Sequence, residues 1–440
     1  MLALAGTSVR ADEQSKEKEL LATLSTGQPA DKAIACKMLS IYGSEAAVPE
    51  LAKLLNDEHL ASWARIALEA IPGPAADEAL RTAMTSLNGK LLVGTINSVG
   101  VRRDAQAADA LAGRLQDKDA DVASAAAVAL GQIGNPAATQ ALRGVLASAP
   151  AGVRSAVAEG CVLCAERLLA DGKSNEAAQL YDEIRRTAEL PKQRLVEATR
   201  GAILARKSGG IELLLEQLRS QDKVFFQLGL GTARELAGRD VTDALAAELP
   251  GSAPQRAALL LGVLADRNDK SVLPAVLQAV KSGPQPVQIA AIGALPRLGD
   301  ESCIGTLLEI STSPDADLAQ AAKAALADLP GQKVDADIAS RLAKSEGKTL
   351  AVLIELVGQR RIEATNDLLR AVDNSDATIR GAALTALGAT VGSKQLPMLV
   401  AYVVTPKYAD DAPVARQALR AAATRMPDRE ACAKELAMAM

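Results

Sequence analysis

Apolar residues recur with helical spacing between Asp117 and Leu146. With Val122 counted as position 0, Ala125, Ala126, Ala129, Leu130 and Ile133 fall at positions 3, 4, 7, 8 and 11, one face of an α-helix. Gly134 follows as a C-terminal stop, and Pro136 opens a second helix in its first turn. Leu142 and Leu146, at positions 20 and 24, give that helix its apolar side. Asp117, Asp119 and Asp121 supply turn and N-cap chemistry ahead of the pair.

The same template slides along the whole chain. Position 0 falls at Asp31, Leu60, Leu91, Val122, Val153, Leu195, Val224, Gln255, Val287, Leu318, Thr349, Ile379 and Val414, a period of about 31 residues. The copies at Gln255 and Val414 fit least well. Position 8 is mostly apolar (Leu39, Leu68, Leu130, Leu295, Leu326, Leu387), and position 20 forms a leucine column from Leu51 through Leu142 to Leu369. A unit of two helices cannot bury both apolar faces alone, so neighbours must stack. Alanines at position 3, such as Ala125, Ala156 and Ala290, predict close approach between adjacent helices, at the short end of roughly 8–10 Å.

The Val-Arg and Ile-Arg pairs at Val153-Arg154 and Ile379-Arg380, with Ala-Leu-Gly at 129–131 and 386–388, resemble the HEAT repeat family in its short, phycobilisome-lyase-like form. The resemblance covers nearly all of residues 28–430. It implies an all-α fold, a right-handed α–α superhelix of about thirteen helix pairs related to the ARM type. It also implies that the Val122-type helix lines a concave side, with positions 1, 2, 5 and 6 facing a groove. The groove residues are then Phe225, Phe226, Leu230, Ile289 and Ile292, flanked by Arg154, Glu159, Glu197, Arg200 and Arg380. Adjacent exposed aromatics would anchor a protein interface. A one-residue shift of register at Val224 would instead turn one ring into the core; helical alternation keeps both from being buried.

One spacing is longer than the rest. Residues 165–190 contain Gly172, Glu176-Ala177-Ala178 and Tyr181, resembling part of a tetratricopeptide hairpin with an extra or longer first helix. It reads as a spacer that changes curvature or as a docking point. At the N-terminus, residues 1–11 read as a truncated signal peptide ending in Val9-Arg10-Ala11, or else as an ordinary leader. The first reading predicts a periplasmic or secreted bacterial protein and the second a cytoplasmic one, with residues 12–440 forming a single solenoid.

Composition narrows the chemistry. Aromatics are 2% of the chain and hydrophobic residues 49%, which suits close-packed helices built from Ala, Leu and Val. A net charge of −4 offers nucleic acid no global attraction, and no run approaches the roughly 18 apolar residues of a membrane span. His59 is the only histidine, which excludes the HEAT-repeat hydroxylases that carry a di-iron centre on several His-Glu pairs. No P-loop, dinucleotide fingerprint or G-x-S-x-G elbow occurs. Cys161 and Cys164 form a CxxC, yet they occupy positions 8 and 11, so they read as packed core thiols rather than a redox or zinc pair. Trp63 reads as a filler of a small core column. Arg102-Arg103, Arg185-Arg186 and Arg360-Arg361 read as solvated helix ends. These features predict a non-catalytic scaffold that needs no cofactor and binds a protein partner. The alternative is a phycobilin-lyase-like or other small-molecule enzyme on the same repeats.

Overall fold

Asp119 ends the turn before residue 120 and accepts a hydrogen bond from the Asp121 backbone N–H at 3.0 Å, so the next segment begins as a helix with one orphan donor satisfied. Asp222, Asp315 and Asp376 do the same for three later helices. In the computed structural model this device, or a Pro in its place, starts most helices of the Val122 type, and the helices beginning at Ala61, Gly89 and Gly347 use neither. The structure describes residues 2–439, with side chains from Gln14 to Met438; the side chains of the leader at residues 1–11 lie outside the described residues.

The chain divides into two compact units, residues 1–236 and 237–440. In the first, α1 (Leu2–Thr26) precedes the pairs α2 (Pro29–Tyr42) and α3 (Val48–Lys53), and α4 (Ala61–Ala70) and α5 (Pro74–Ser86). There follow α6 (Gly89–Arg102) with α7 (Ala108–Arg114), and α8 (Ala120–Ile133) with α9 (Pro136–Val145). The unit ends in α10 (Ala151–Ala170) with α11 (Ser174–Arg186), α12 (Lys192–Arg206) with α13 (Ile211–Arg219), and α14 (Lys223–Glu235).

The second unit opens with α15 (Arg239–Glu248), then pairs α16 (Pro254–Arg267) with α17 (Leu273–Ser282) and α18 (Gln285–Leu298) with α19 (Ile304–Ser311). It continues through α20 (Ala316–Asp328) with α21 (Gln332–Leu342), and α22 (Gly347–Arg360) with α23 (Thr365–Val372). The last pairs are α24 (Ala377–Thr390) with α25 (Leu396–Val404), and α26 (Ala412–Arg425) with α27 (Arg429–Ala439). No strand occurs among the described residues, and each of the thirteen sequence copies corresponds to one Val122-type helix, α2 to α26 by even numbers.

The buried columns follow the predicted period. In α4, Leu60, Ala64, Ala67, Leu68 and Ile71, at positions 0, 4, 7, 8 and 11, are all buried, and Val287, Ala291, Ala294, Leu295 and Leu298 match them in α18. Three registers differ from the sequence reading by one residue. Helix starts and burial set position 0 at Arg194, Phe225 and Arg256 rather than Leu195, Val224 and Gln255. Spacings from 194 through 225 and 256 to 287 then become 31 each, so the long spacing is 41, one period plus about ten residues. The poor fit at Gln255 was this slip. At position 20 the same correction exchanges Leu215 for the fully buried Leu214, and in α23 Leu368 rather than Leu369 is the core leucine.

Close approach does occur in the Val122-type layer, though not where the alanines predicted it. Residues at position 3, such as Ala156 and Ala290, are only half-buried. Tight seams occur at position 9: a methyl group on Gly131 would sit 2.6 Å from Cα of Gly160, and one on Gly388 would sit 2.7 Å from Cα of Ala418. Only glycine permits such backbone contact.

Arginine at position 11 ties one repeat to the one before it. Arg102 donates to the carbonyl oxygens of Leu68 (2.8 Å), Ile71 (2.6 Å) and Gly73 (2.9 Å) and pairs with Asp77. Arg360 reaches Leu326 O (3.0 Å), Ala327 O (2.7 Å) and Asp335 (2.7 Å). Arg267 bonds Gly238 O at 2.7 Å and Thr242 Oγ1 at 3.0 Å. Arg102 and Arg360 satisfy carbonyls left open where a preceding helix ends, whereas Arg267 binds the first turn of α15. Arg102 and Arg360 have side chains only 9% exposed; they are capping groups, not the solvated ends their sequence positions suggested. Arg103 and Arg361 beside them are exposed, each in the left-handed conformation that closes its helix.

The long spacing is taken up by α10, 20 residues where α8 has 14. It turns at Gly172 (φ +78°) into α11, whose Tyr181 ring lies over Gly201 of α12 so closely that any side chain there would collide with it.

Candidate functional site: the open face of the Val122-type helices

With columns 0, 4, 7, 8 and 11 buried, and 1, 5 and 9 packed toward neighbouring repeats, each Val122-type helix keeps a narrow stripe open at positions 2–3, 6 and 10. In α8 it holds Ser124, Val128 and Gln132, the half-buried residues of an otherwise largely buried segment. In α12 the stripe holds Glu197, Arg200 and Leu204, and in α14 Gln227, Gly231 and Glu235.

The residues predicted to form the groove fall differently. Phe225 takes position 0 and is half-buried; Phe226, at position 1, is 7% exposed, and Leu230, at position 5, is 4% exposed. Both correspond to Ala123 and Ala127 of α8, which face neighbouring helices. One ring is therefore core, because the N-cap at Asp222 starts the helix one residue later than the template placed it. Ile292, also at position 5, is fully buried, while Ile289 is half-buried.

The three arginines are not alike. Arg380, 5% exposed, pairs with Asp411 at 2.7 Å, donates to the carbonyls of Asn374 (3.2 Å) and Ser375 (3.0 Å), and lies 3.8 Å over the Tyr408 ring. Its positive charge is fully used inside the fold, contrary to its placement in a groove. Arg154 is half-buried, bonding Ala149 O at 3.1 Å and pairing with Glu189. Arg200 alone is on the open stripe, paired with Glu235, which raises its already high pKa. Within the first unit Arg194 joins Glu159 and Glu197, and within the second Arg297 joins Asp266. Each of these four arginines, Arg194, Arg200, Arg297 and Arg380, has an acid at hand.

Cys161 and Cys164 are fully buried free thiols, and burial raises both pKa values. Cys36 is pushed up to about 11 by burial as well. His59 is exposed in the turn before α4. Trp63 is 37% exposed and sits at position 3 of α4, on the open stripe rather than in the core.

Sequence reasoning missed the residues around it. Ile34, Ile41, Ile66 and Val101 are 46–68% exposed, at positions 3 and 10 of α2, 6 of α4 and 10 of α6. A large apolar side chain away from columns 0, 4, 7, 8 and 11 was the signal available.

On the other side of the first unit, the longer α10 leaves a cleft of about 980 Å³ between α9 and α11. Arg103, Arg143, Arg167 and Lys173 border it with Asp171, Glu176 and Glu183. Arg143 donates to Glu183 at 2.8 Å and Arg167 lies 3.5 Å from Asp171, so much of its charge is internally matched.

Residues 77–161, from α5 into α10, match the family profile for HEAT repeats. That segment matches HEAT repeats, and all-α helix pairs continue on either side of it among the described residues. No curated protein matches the sequence. Among solved structures, the chain is similar to one described as Kap95p binding to RanGDP, at 12% identity and a TM-score of 0.48, covering 96% of this chain and 69% of that one. Karyopherin Kap121p bound to the SUMO protease Ulp1p matches at 12% and 0.48, with 94% and 57% covered. Human deoxyhypusine hydroxylase matches at 19% and 0.27, with 67% and 98% covered. This chain spans about half to two thirds of the length of the karyopherins it matches. No helix among the described residues is long and apolar enough to cross a membrane.

Proposed function

We propose that this protein is a non-catalytic HEAT-repeat scaffold that binds a protein partner along the open stripe of its Val122-type helices. One observation carries the reading: positions 4 and 8 are buried and uncharged in every copy, while the stripe changes its chemistry from repeat to repeat. It is apolar at Ile34 and Trp63, ion-paired at Arg200, and bare at Gly262 and Gly293, where an added methyl would meet no atom within 4 Å. Glycine inside a helix costs about 1 kcal/mol relative to alanine, and here no packing explains it. A surface whose composition is free of the fold's demands is where recognition is specified.

The test is photo-crosslinking in cells from a benzophenone residue at Asn97 and Thr385 on the stripe, with Gln179 and Ser340 on the other helices as controls. A defined protein adduct from the stripe positions alone supports the reading. Adducts only from the control positions, or from none, overturn it. The cleft between α9 and α11 favours a second reading, a small-molecule site of the lyase-like kind; a chromophore or metabolite co-purifying with the protein and lost in Arg143→Ala would support that one.

A further inference from the structure

We propose that the first three repeats form a docking face for an acidic amphipathic helix of a partner protein. The inference rests on the scaffold reading above and assigns its most apolar section. Nine large hydrophobic side chains are markedly exposed among the described residues, and five of them, Ile34, Ile41, Trp63, Ile66 and Val101, lie on α2, α4 and α6. All five occupy stripe positions, and the three helices pack side by side in sequence order. None contributes to a buried column. Scattered exposed apolar residues are ordinary; a set gathered on one face marks an interaction site.

The dimensions select the occupant. From Ile34 to Ile41 is seven residues, roughly 10 Å along α2. Crossing from α2 to α6 takes two interhelical spacings, roughly 16–20 Å. A strip of that size accepts three turns of one helix, about 16 Å, laid across the repeats with its apolar side down. The only Trp of the chain stands near its middle, a residue type that anchors interfaces.

Charge selects the sign. Setting aside Arg102, which caps α4, the three helices carry Lys32, Lys37, Arg65 and Lys90 against Asp31 and Glu69. Glu69 already accepts a hydrogen bond from Ser98 at 2.6 Å. Lys37 is exposed at position 6 of α2, between Ile34 and Ile41. A helix with carboxylates beside its apolar stripe complements this face, whereas one flanked by lysines is repelled.

Trp63 makes the test direct. The full chain is titrated with an 18-residue amphipathic peptide of Leu and Glu, and separately with its Leu and Lys counterpart, while tryptophan emission is read. The expected result is a saturable blue shift with the Glu peptide, at least tenfold weaker with the Lys peptide. Ile66→Asp and Ile34→Asp should each weaken binding at least tenfold and leave the melting temperature unchanged. Equal affinity for both peptides, or binding that ignores both substitutions, would overturn the proposal. So would sedimentation showing a dimer that Ile66→Asp dissolves, since the face would then belong to a second copy. If the peptide fails while Asn97 or Thr385 still crosslinks a partner, the docking face alone falls; if both stripe positions are silent too, the scaffold reading falls with it.

Discussion

Gly131 in the first unit and Gly262 in the second are both glycines inside Val122-type helices, and they do opposite things. Gly131 lies in a seam: its missing side chain lets α8 rest on the backbone of Gly160 in α10. Gly262 lies on the open stripe of α16, with no heavy atom within 4 Å of where a methyl would stand. The first glycine is required by packing and the second is tolerated against it. Repeat position, 9 in one case and 6 in the other, separates architecture from surface, and residue type alone does not.

The largest effect expected from this division is at Phe226, in a seam although it was read as groove. Phe226→Ala should lower stability by about 3–4 kcal/mol, as truncation of a buried ring does, measured by urea denaturation. Phe225→Ala, at a half-buried position, should cost less than half as much. Equal and small losses for both would return the pair to the open face and break the division at α14.

Next comes the seam glycine. Gly131→Ala places a carbon 2.6 Å from Gly160 Cα and 2.7 Å from its carbonyl oxygen, and backbone cannot move aside as a flexible side chain can. The expected loss is about 2–3 kcal/mol, although alanine is by itself the better helix former. On the stripe the sign reverses. Gly262→Ala should stabilise the protein by about 0.5–1 kcal/mol, visible as a higher midpoint in the same titration. A destabilising Gly262→Ala would show that α16 carries a contact at position 6 and would move that site from surface to seam.

Much of this was legible in the chain. The helix pairs, the buried columns at positions 4 and 8 and the buried CxxC follow from spacing, because burial at helical period marks every copy there. Position 3, read on the same face, is instead half-buried at Ala156 and Ala290 and exposed at Ile34 and Trp63. The face was read less well, for two physical reasons. Position 1 was assigned to the groove, but the neighbouring repeat covers it, as Arg380 and Phe226 show. Register was fixed by matching apolar letters, which slips by one residue where a helix begins at a different turn; the caps at Asp222 and Ala253 settle it. The capping arginines were invisible for a related reason. Arg102 and Arg103 are the same letter twice, and only the fold shows that one reaches back to the preceding helix while the other ends its own.

The smallest effect concerns the turn that sets the α14 register. The Asp222 carboxyl is held below the usual carboxylate range, first by the Lys192 ammonium that donates to it at 2.6 Å and then by the Val224 backbone N–H at 2.9 Å. A carboxyl whose folded pKa is depressed stabilises the fold above its unfolded pKa and loses that contribution as pH falls through the folded value. Asp222→Asn keeps an N-cap acceptor and removes the charge. At neutral pH the variant should therefore melt slightly below the parent, by an amount that shrinks as salt is added, because the lost ion pair is exposed. On acidification below the ordinary carboxylate range the parent loses its advantage and the two melting temperatures should converge. A gap that persists in acid would mean that Asp222 acts through geometry rather than charge, and that the register of α14 is set by the hydrogen bond from Val224 alone.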